Sequence, residues 1–202
     1  MNESRWATAT GGQGVEAFNA RFAALAAAGA DLHGEARFVA SLARAGGLVL
    51  DAGCGTGRVA LKLAELGFRC VGIDSDPAML AQARETSTDV RWVLADLLDV
   101  DQLAEHFDLV VTAGNVMPLL APGTEAEVVG LLADRLAPGG LLVAGFGLDP
   151  AHLPLAEAPF GLPDYDRWCA AAGLELVERF ATWDRTPYES GGYAVSVHRR
   201  PG

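Results

Sequence analysis

Cysteine is scarce in this sequence. Three residues, Cys54, Cys70 and Cys169, are spread over 202 positions without a CxxC pair. An odd number with such wide spacing argues against both a disulfide framework and a zinc site. We therefore interpret them as reduced thiols buried in the core of the protein.

Positive charge is scarce as well. Lys and Arg total 15 against 26 Asp and Glu, which gives a formal net charge of −11. Proteins that bind nucleic acid usually carry the opposite balance, because phosphate contacts need Lys and Arg. An acidic surface also repels anionic membranes. We therefore expect neither a nucleic-acid nor a membrane partner, and a small neutral or cationic substrate instead.

Long apolar runs are missing too. The apolar run at 22–30 is too short to cross a bilayer, which takes about 20 residues. The first residues lack the charged and apolar regions of a secretion signal, so we expect a cytoplasmic protein. The length suits one domain, and the 50% of hydrophobic residues supply its core.

From residue 46 onward, short apolar runs alternate with amphipathic stretches, which is typical of parallel strands joined by helices. Strands are predicted at 48–50, 70–73, 90–94, 109–111 and 141–146. Helices are predicted at 56–66, 78–85, 124–136 and 164–172. Thr124 is the expected cap of the third helix, and Pro138-Gly139-Gly140 is its expected end.

The two ends of the chain follow other patterns. Segments 174–183 and 193–198 predict a hairpin, so one strand near the C-terminal end runs antiparallel to the others. Before the first strand, the apolar spacing predicts one helix through Phe18 and another through Phe38. The segment 8–14 is small and glycine-rich, which is typical of a mobile start. Residues 1–45 are thus a candidate lid, or alternatively a plain cover of the sheet. The possible wall residues of the lid are Trp6, Phe18, Arg21 and Phe22.

A glycine turn follows the first predicted strand, in the sequence VLDAGCGTG at 49–57. Its glycines let the backbone approach a ligand closely, and the next helix N-terminus suits a carboxylate or a phosphate. A dinucleotide pyrophosphate usually takes G-x-G-x-x-G, whereas here Asp51 precedes G-x-G-x-G and would repel it. The same carboxylate suits the ammonium and sulfonium groups of S-adenosylmethionine, which the charge pattern therefore favours.

Polar residues also follow the next three predicted strands. Asp74, about 20 residues past the glycine turn, is placed to accept hydrogen bonds from ribose hydroxyls. Asp76 is placed as the N-cap before Pro77. Asp96 suits an exocyclic amine or, alternatively, a helix cap. Asn115 suits the ligand or substrate or, alternatively, the structure of its own turn.

Taken together, these motifs resemble the class I S-adenosylmethionine-dependent methyltransferases, and more closely the small bacterial enzymes that act on metabolites. The matching sequences are VLDAGCGTG, GIDSDPAML (72–80), VLADL (93–97), FDLVVTAGNV (107–116) and LAPGGLLVAGF (136–146). The resemblance implies an α/β fold with a doubly wound, mostly parallel, seven-stranded sheet and an antiparallel strand near the C-terminal end. It also implies S-adenosylmethionine as the cofactor and S-adenosylhomocysteine as the product.

The resemblance further implies where the cofactor binds. Asp51 and the turn from Gly53 to Gly55 would face the methionine moiety, Asp74 and Asp96 the adenosine, and Asn115 the transferred methyl group. The full expected set is Asp51, Gly53, Cys54, Gly55, Asp74, Ser75, Met79, Asp96, Leu97, Gly114 and Asn115. No metal is implied. Adenine-N6 methyltransferases carry Asn-Pro-Pro-aromatic at the fourth strand, whereas this chain has NVMP at 115–118, which disfavours base methylation.

The sequence therefore predicts methyl transfer to a small-molecule acceptor within one domain, 1–202. Its expected parts are a helical cover (1–45), a cofactor core (46–147) and an acceptor-side loop with the hairpin (148–202). The alternatives are an RNA- or protein-directed methyltransferase and a non-catalytic S-adenosylmethionine-binding protein; an NAD(P) oxidoreductase is disfavoured. No catalytic base is assigned among the candidates His33, His152, Tyr165, Asp184 and Tyr188.

Overall fold

The computed structural model describes residues 3–11 and 14–202. Within them, seven strands form one sheet in the order β3-β2-β1-β4-β5-β7-β6. The strands are β1 Leu48–Ala52, β2 Arg69–Asp74, β3 Arg91–Leu94, β4 Phe107–Thr112, β5 Leu136–Gly147, β6 Glu175–Phe180 and β7 Tyr193–Arg199.

Eight α-helices accompany the sheet within the described residues. They are α1 Arg5–Thr10, α2 Gly14–Ala27, α3 Gly34–Leu42, α4 Arg58–Glu65, α5 Pro77–Thr86, α6 Val116–Leu119, α7 Glu125–Asp134 and α8 Leu162–Ala171. A 3₁₀ helix, Leu97–Gln102, follows β3. None of these helices combines the length and apolarity that crossing a bilayer requires.

The strand directions confirm the predicted fold class. Strands β1 to β5 pair in parallel, and β7 is antiparallel to both of its neighbours, β5 and β6. The chain leaves β1 for β2 and β3 on one side, then returns to β4 on the other side of β1. Such a reversal opens a crevice at the carboxyl ends of the strands, where α/β proteins of this type bind ligands.

Both faces of the sheet are buried, which explains why the strands read as continuous apolar runs. Leu50 packs into one cluster with Leu132 of α7, while the adjacent Val49 packs into a second cluster with Leu63 of α4. All these side chains are fully buried. Each buried aliphatic side chain contributes roughly 2 kcal/mol to the free energy of unfolding.

The predicted end of the helix at 124–136, which is α7 in the structure, is wrong. Helix α7 stops at Asp134, and Leu136 already belongs to β5, where it pairs with Phe107. Strand β5 includes Pro138-Gly139-Gly140 as an irregular stretch. Gly139 has a φ of 77°, and the pairing with β4 shifts its register there. The hydroxyl of Thr124 donates to the carbonyl of Ala121 at 2.8 Å and makes no cap bond to α7.

Part of segment 8–14, for which the sequence predicts a mobile start, is helical, because α1 extends through Thr10. Ser4 caps α1 by accepting a hydrogen bond from the amide of Ala7 at 3.2 Å, and Gly11 ends it in the left-handed region. Residues 12 and 13 lie outside the described residues. The predicted helices through Phe18 and Phe38 are confirmed as α2 and α3.

Candidate functional site

A cavity of about 690 Å³ lies at the carboxyl ends of β1 to β4. Its volume falls within the range of small-molecule sites, roughly 300–1,000 Å³. All the residues that the sequence predicts as cofactor-binding line this one cavity: Asp51, Gly53, Cys54, Gly55, Asp74, Ser75, Met79, Asp96, Leu97, Gly114 and Asn115. The strand-end carboxylates and the glycine turn therefore converge, although they lie far apart in the sequence.

The glycine turn is fixed by contacts from neighbouring elements. A Cβ atom on Gly53 would lie 2.5 Å from the side chain of Val116, so no larger residue fits there. The amides of Gly53 and Cys54 both donate to the carbonyl of Ile73 in β2, at 2.8 and 3.0 Å. Gly55 donates its amide to the carboxylate of Asp74 at 2.7 Å. The turn is thus held rigidly against the end of β2.

Asp51 is the most buried carboxylate of the cavity, with 2% of its surface exposed. One of its oxygens accepts from the amide of Ala60 at 3.0 Å, which caps α4 because the N-cap residue, Gly57, has no side chain. Burial raises the pKa of the Asp51 carboxyl to about 7, against the hydrogen bond from Ala60 and the charge of Arg58. A cation in the cavity would stabilise its ionised form.

Asp74 is held by two backbone amides, those of Gly55 at 2.7 Å and Asp76 at 2.9 Å. Burial nevertheless raises the pKa of the Asp74 carboxyl. Each carboxylate oxygen keeps a second lone pair for a ligand hydroxyl. The neighbouring Asp76 caps α5 through the amides of Ala78 and Met79, which confirms its predicted role.

Asp96 and Asn115, for which the sequence allows either a ligand contact or a structural role, both make structural contacts. Asp96 accepts from the amide of Leu98 at 2.9 Å and so caps the 3₁₀ helix. Asn115, at a φ of 71°, accepts from the amide of Gly147 at 2.8 Å and donates to the carbonyl of His152 at 2.9 Å. Asn115 thereby joins the ends of β4 and β5 to the segment that follows β5. Both residues also line the cavity.

An ion pair between Glu35 and Arg58 lines the cavity and was not predicted from the sequence. The two side chains are joined by two hydrogen bonds, at 2.6 and 2.9 Å, and both are largely buried. The guanidinium lies 4.6 Å from the ring centroid of Phe22 and also donates to the carbonyl of Leu32. The available signal was an arginine directly after the glycine turn, but its partner lies 23 positions away.

The N-terminal helices contribute one wall of the cavity. Trp6, Phe18 and Phe22 line it as expected. The indole of Trp6 donates to Asp76 at 3.5 Å, which brings α1 next to the end of β2. The side chain of Arg21 lies outside the described part of the chain.

Residues beyond β5 form the opposite wall. His152, Trp183 and Tyr193 line the cavity there, and the indole of Trp183 donates to the hydroxyl of Tyr193 at 3.0 Å. Of the candidate bases, only His152 is among the lining residues that the structure describes. Tyr165 is fully buried in the core, and burial raises the pKa of its hydroxyl well above the usual value.

The remaining candidate bases have other surroundings. Asp184 is exposed and accepts hydrogen bonds from Thr182 and Thr186. Tyr188 donates to the carbonyl of Gly191, and His33 stands at the N-cap of α3. Among the described residues, no group of three or more His, Cys, Asp and Glu side chains is arranged to hold a metal ion. All three cysteines are buried thiols.

Comparison with known families gives a match over the core. A family model described as a methyltransferase domain matches residues 49–140. This stretch runs from β1 into β5 and contains every predicted cofactor-binding residue.

Solved structures and curated relatives extend the comparison. A TehB-like SAM-dependent methyltransferase from Corynebacterium glutamicum has 35% sequence identity and a TM-score of 0.82, over 92% of this chain and 97% of that chain. The ribosomal protein L11 methyltransferase of Janthinobacterium sp. (strain Marseille) is 30% identical over 138 residues, 62% of this chain and 42% of that protein. The ubiquinone biosynthesis O-methyltransferase of Nitrosococcus oceani is 29% identical over 159 residues, 65% of this chain and 65% of that protein. The chain thus spans less than two thirds of the length of these curated relatives.

Proposed function

The chain belongs to the class I S-adenosylmethionine-dependent methyltransferases, and from this premise we propose that it transfers a methyl group from S-adenosylmethionine to a small-molecule acceptor. The observation that carries the proposal is the cavity at the switch point of the sheet. There the glycine turn after β1 meets carboxylates at the ends of β1, β2 and β3.

The charges of this cavity fit S-adenosylmethionine. Four acidic residues line the cavity: Glu35, Asp51, Asp74 and Asp96. Among the lysine and arginine residues that the structure describes, Arg58 alone lines it. Such an excess of carboxylates favours a ligand with ammonium and sulfonium groups over one with a pyrophosphate. The N-terminus of α4 next to the turn offers backbone N–H groups to a ligand carboxylate.

When bound, S-adenosylmethionine supplies an electrophilic methyl group on a positive sulfur. The residues of the chain mainly bind and orient, since alignment alone can contribute several kcal/mol to catalysis. Asp74 is placed to accept hydrogen bonds from the ribose hydroxyls, and Asp51 is placed to face the positive groups of the ligand. Gly114, which has no side chain, leaves space for the methyl group at the end of β4. Trp6 and Phe22 add aromatic surface to the wall formed by the N-terminal helices.

A small acceptor is supported by how the cavity is enclosed. Residues of α1 and α2 line one side, and the segment 151–154 lines the other. A metabolite-sized molecule fits between them more readily than a folded macromolecule. We propose that residues 1–45 and 148–202 thus complete one domain around the core. The buried thiols agree with a reducing compartment such as the cytoplasm.

Calorimetry with S-adenosylmethionine and S-adenosylhomocysteine tests the proposal. We expect micromolar binding by the wild type and at least tenfold weaker binding by Asp74→Ala, about 1.4 kcal/mol. The matched control is Asp89→Ala, since Asp89 is an exposed carboxylate outside the described cavity lining. Thermal melting of each variant separates lost binding from lost folding. A well-folded wild type that binds neither compound would contradict the proposal.

A further inference from the structure

Two glycines make room for a histidine–aspartate pair on the acceptor side of the cavity. A Cβ on Gly147, the last residue of β5, would lie 2.7 Å from the carbonyl oxygen of His152. A Cβ on Gly192, just before β7, would lie 2.5 Å from the ring nitrogen Nδ1 of His152 and from the carboxyl carbon of Asp149. The pair is therefore packed directly on backbone that carries no side chains.

The carboxylate of Asp149 sets the tautomer of His152. Asp149 Oδ1 lies 2.7 Å from His152 Nδ1 and also accepts from the amide of Ala151 at 3.0 Å. The hydrogen bond with His152 lowers the pKa of the Asp149 carboxyl, so Asp149 is an ionised acceptor. A carboxylate can only accept, hence Nδ1 carries the hydrogen and Nε2 of the neutral ring keeps its lone pair.

Asn115 fixes the backbone of His152 next to the end of β4. Its amide nitrogen donates to the His152 carbonyl at 2.9 Å, while its oxygen holds the amide of Gly147 at 2.8 Å. Gly114, expected beside the transferred methyl group, is the adjacent residue. The imidazole is therefore anchored from both sides, through its ring and through its backbone, close to where methyl transfer is proposed.

The surrounding walls suit a flat aromatic molecule. Trp183 and Tyr193 line this side of the cavity together with Leu153 and Pro154. The rings of His152 and Tyr193 have centroids 6.3 Å apart. Aromatic and apolar walls bind a ring, and a base among them suits an acceptor that must lose a proton before it can attack.

We propose that His152 is the catalytic base of this protein, positioned by Asp149, and that the acceptor is an aromatic hydroxyl compound. This inference rests on the proposed methyl transfer. The O–H bond of the acceptor breaks and its proton moves to Nε2 of His152. The oxygen electron pair forms the new O–CH₃ bond, while the pair of the broken methyl–sulfur bond stays on sulfur as a neutral thioether.

The test uses 4-nitrophenol as the probe, with full-length protein saturated with S-adenosylhomocysteine. At a pH below the pKa of the free phenol, wild type should turn bound 4-nitrophenol into its yellow phenolate, since His152 takes the proton. We expect His152→Gln to reduce this absorbance at least tenfold and Asp149→Asn to reduce it partly. With S-adenosylmethionine instead, methylation of 4-nitrophenol should slow by about 10²-fold or more in His152→Gln.

The control is His106→Gln, because His106 is exposed and outside the described cavity lining. It should keep the wild-type phenolate signal. The proposal is overturned if His152→Gln gives the same signal as wild type, as expected of a pair that only stabilises its loop. It is also overturned if wild type binds S-adenosylhomocysteine yet ionises no 4-nitrophenol. If folded wild type binds neither S-adenosylmethionine nor S-adenosylhomocysteine, the proposed function itself fails.

Discussion

At the level of single residues, the buried carboxyl of Asp51 connects stability with ligand binding. Its pKa of about 7 in the folded protein lies above the ordinary value of 3.8. Between these two pH values the folded state holds a proton that the unfolded state has released. The contribution of Asp51 to the free energy of unfolding therefore falls as the pH rises from about 4 to about 7, and stays low above that.

We predict that Asp51→Asn stabilises the ligand-free protein at pH 8 by ~2 kcal/mol, because the amide needs no ionisation in the buried site. The amide oxygen can still accept from Ala60, so the cap of α4 is kept. The measurement is urea unfolding of wild type and variant across this pH range. The two stability curves should converge toward acidic pH.

The same variant should bind S-adenosylmethionine at least tenfold more weakly, because the charge that faces the cation is gone. Asp89→Asn serves as the control for both measurements, because it removes an exposed carboxyl. A variant with unchanged stability at pH 8 would mean that the Asp51 carboxyl is better solvated than its burial indicates.

Residue roles were predictable from the sequence where they depend on local spacing. Asp76 before Pro77 identified a helix cap, and Asp51 before the glycine turn identified a cavity residue. Glu35 was missed because its partner, Arg58, lies 23 positions away, and no local pattern encodes so distant a contact. His152 follows its ring partner Asp149 by only three positions, but its place beside the cavity depends on Asn115, 37 positions away, which holds its backbone.

At the level of elements, α1 is tied to α7 by the side chain of Arg5. This helix has six residues, none of them buried, and a helix this short is unstable alone. Arg5 anchors it, because its guanidinium donates to Glu125 at 2.7 Å and to the carbonyl of Leu120 at 3.1 Å. Glu125 is itself buried at the start of α7.

We predict that Arg5→Ala speeds amide exchange in residues 3–11 and accelerates release of S-adenosylhomocysteine, both by roughly tenfold or more, about 1.4 kcal/mol. It should also lower the free energy of unfolding by about 1–3 kcal/mol, because Glu125 becomes a buried charge without its partner. Hydrogen-exchange mass spectrometry and stopped-flow displacement measure the first two effects.

The double variant Arg5→Ala/Glu125→Gln separates the two causes. It should regain much of the stability, because the buried charge is removed, while α1 stays loose. Arg167→Ala is the control, since its pair with Asp164 is exposed and contributes little to stability. Wild-type exchange rates in Arg5→Ala would show that other contacts hold α1.

Element boundaries were predicted well in the core and poorly where turn residues had unusual roles. Pro138-Gly139-Gly140 has the composition of a helix stop, and it does follow a helix. The structure places these residues inside β5, because the strand tolerates an irregularity opposite Phe107. The segment 8–14 likewise has few apolar residues, and its helical start at 8–10 is held by the Ser4 cap and by the contacts of Arg5 and Trp6 with the rest of the fold.

At the level of the whole molecule, the acidic net charge bears on which partners we expect. With a net charge of −11, we predict no measurable binding of a mixed-sequence RNA at low ionic strength, with a Kd weaker than about 100 µM. Fluorescence anisotropy with a labelled oligonucleotide measures this, and a basic protein of similar size is the positive control. Micromolar, salt-sensitive binding would instead favour the alternative of an RNA-directed methyltransferase.

The mostly parallel α/β sheet was predictable from the sequence, because its strands are buried on both faces and appear as uninterrupted apolar runs. The antiparallel strand was predictable from the C-terminal hairpin, whose second strand alternates between apolar and polar residues. The position of β7 between β5 and β6 did not follow from the hairpin itself, since either of its strands could have paired with β5. That choice depends on packing across the whole sheet.

The place of β7 has a consequence for synthesis. It is the last of the seven strands to leave the ribosome, yet it pairs with both β5 and β6. Until it emerges, β5 has an open edge and β6 has no neighbour, while Leu176 and Val177 add apolar surface to β6. A nascent chain stalled before residue 193 would therefore expose two strands able to pair with other chains, so incomplete translation products are expected to aggregate.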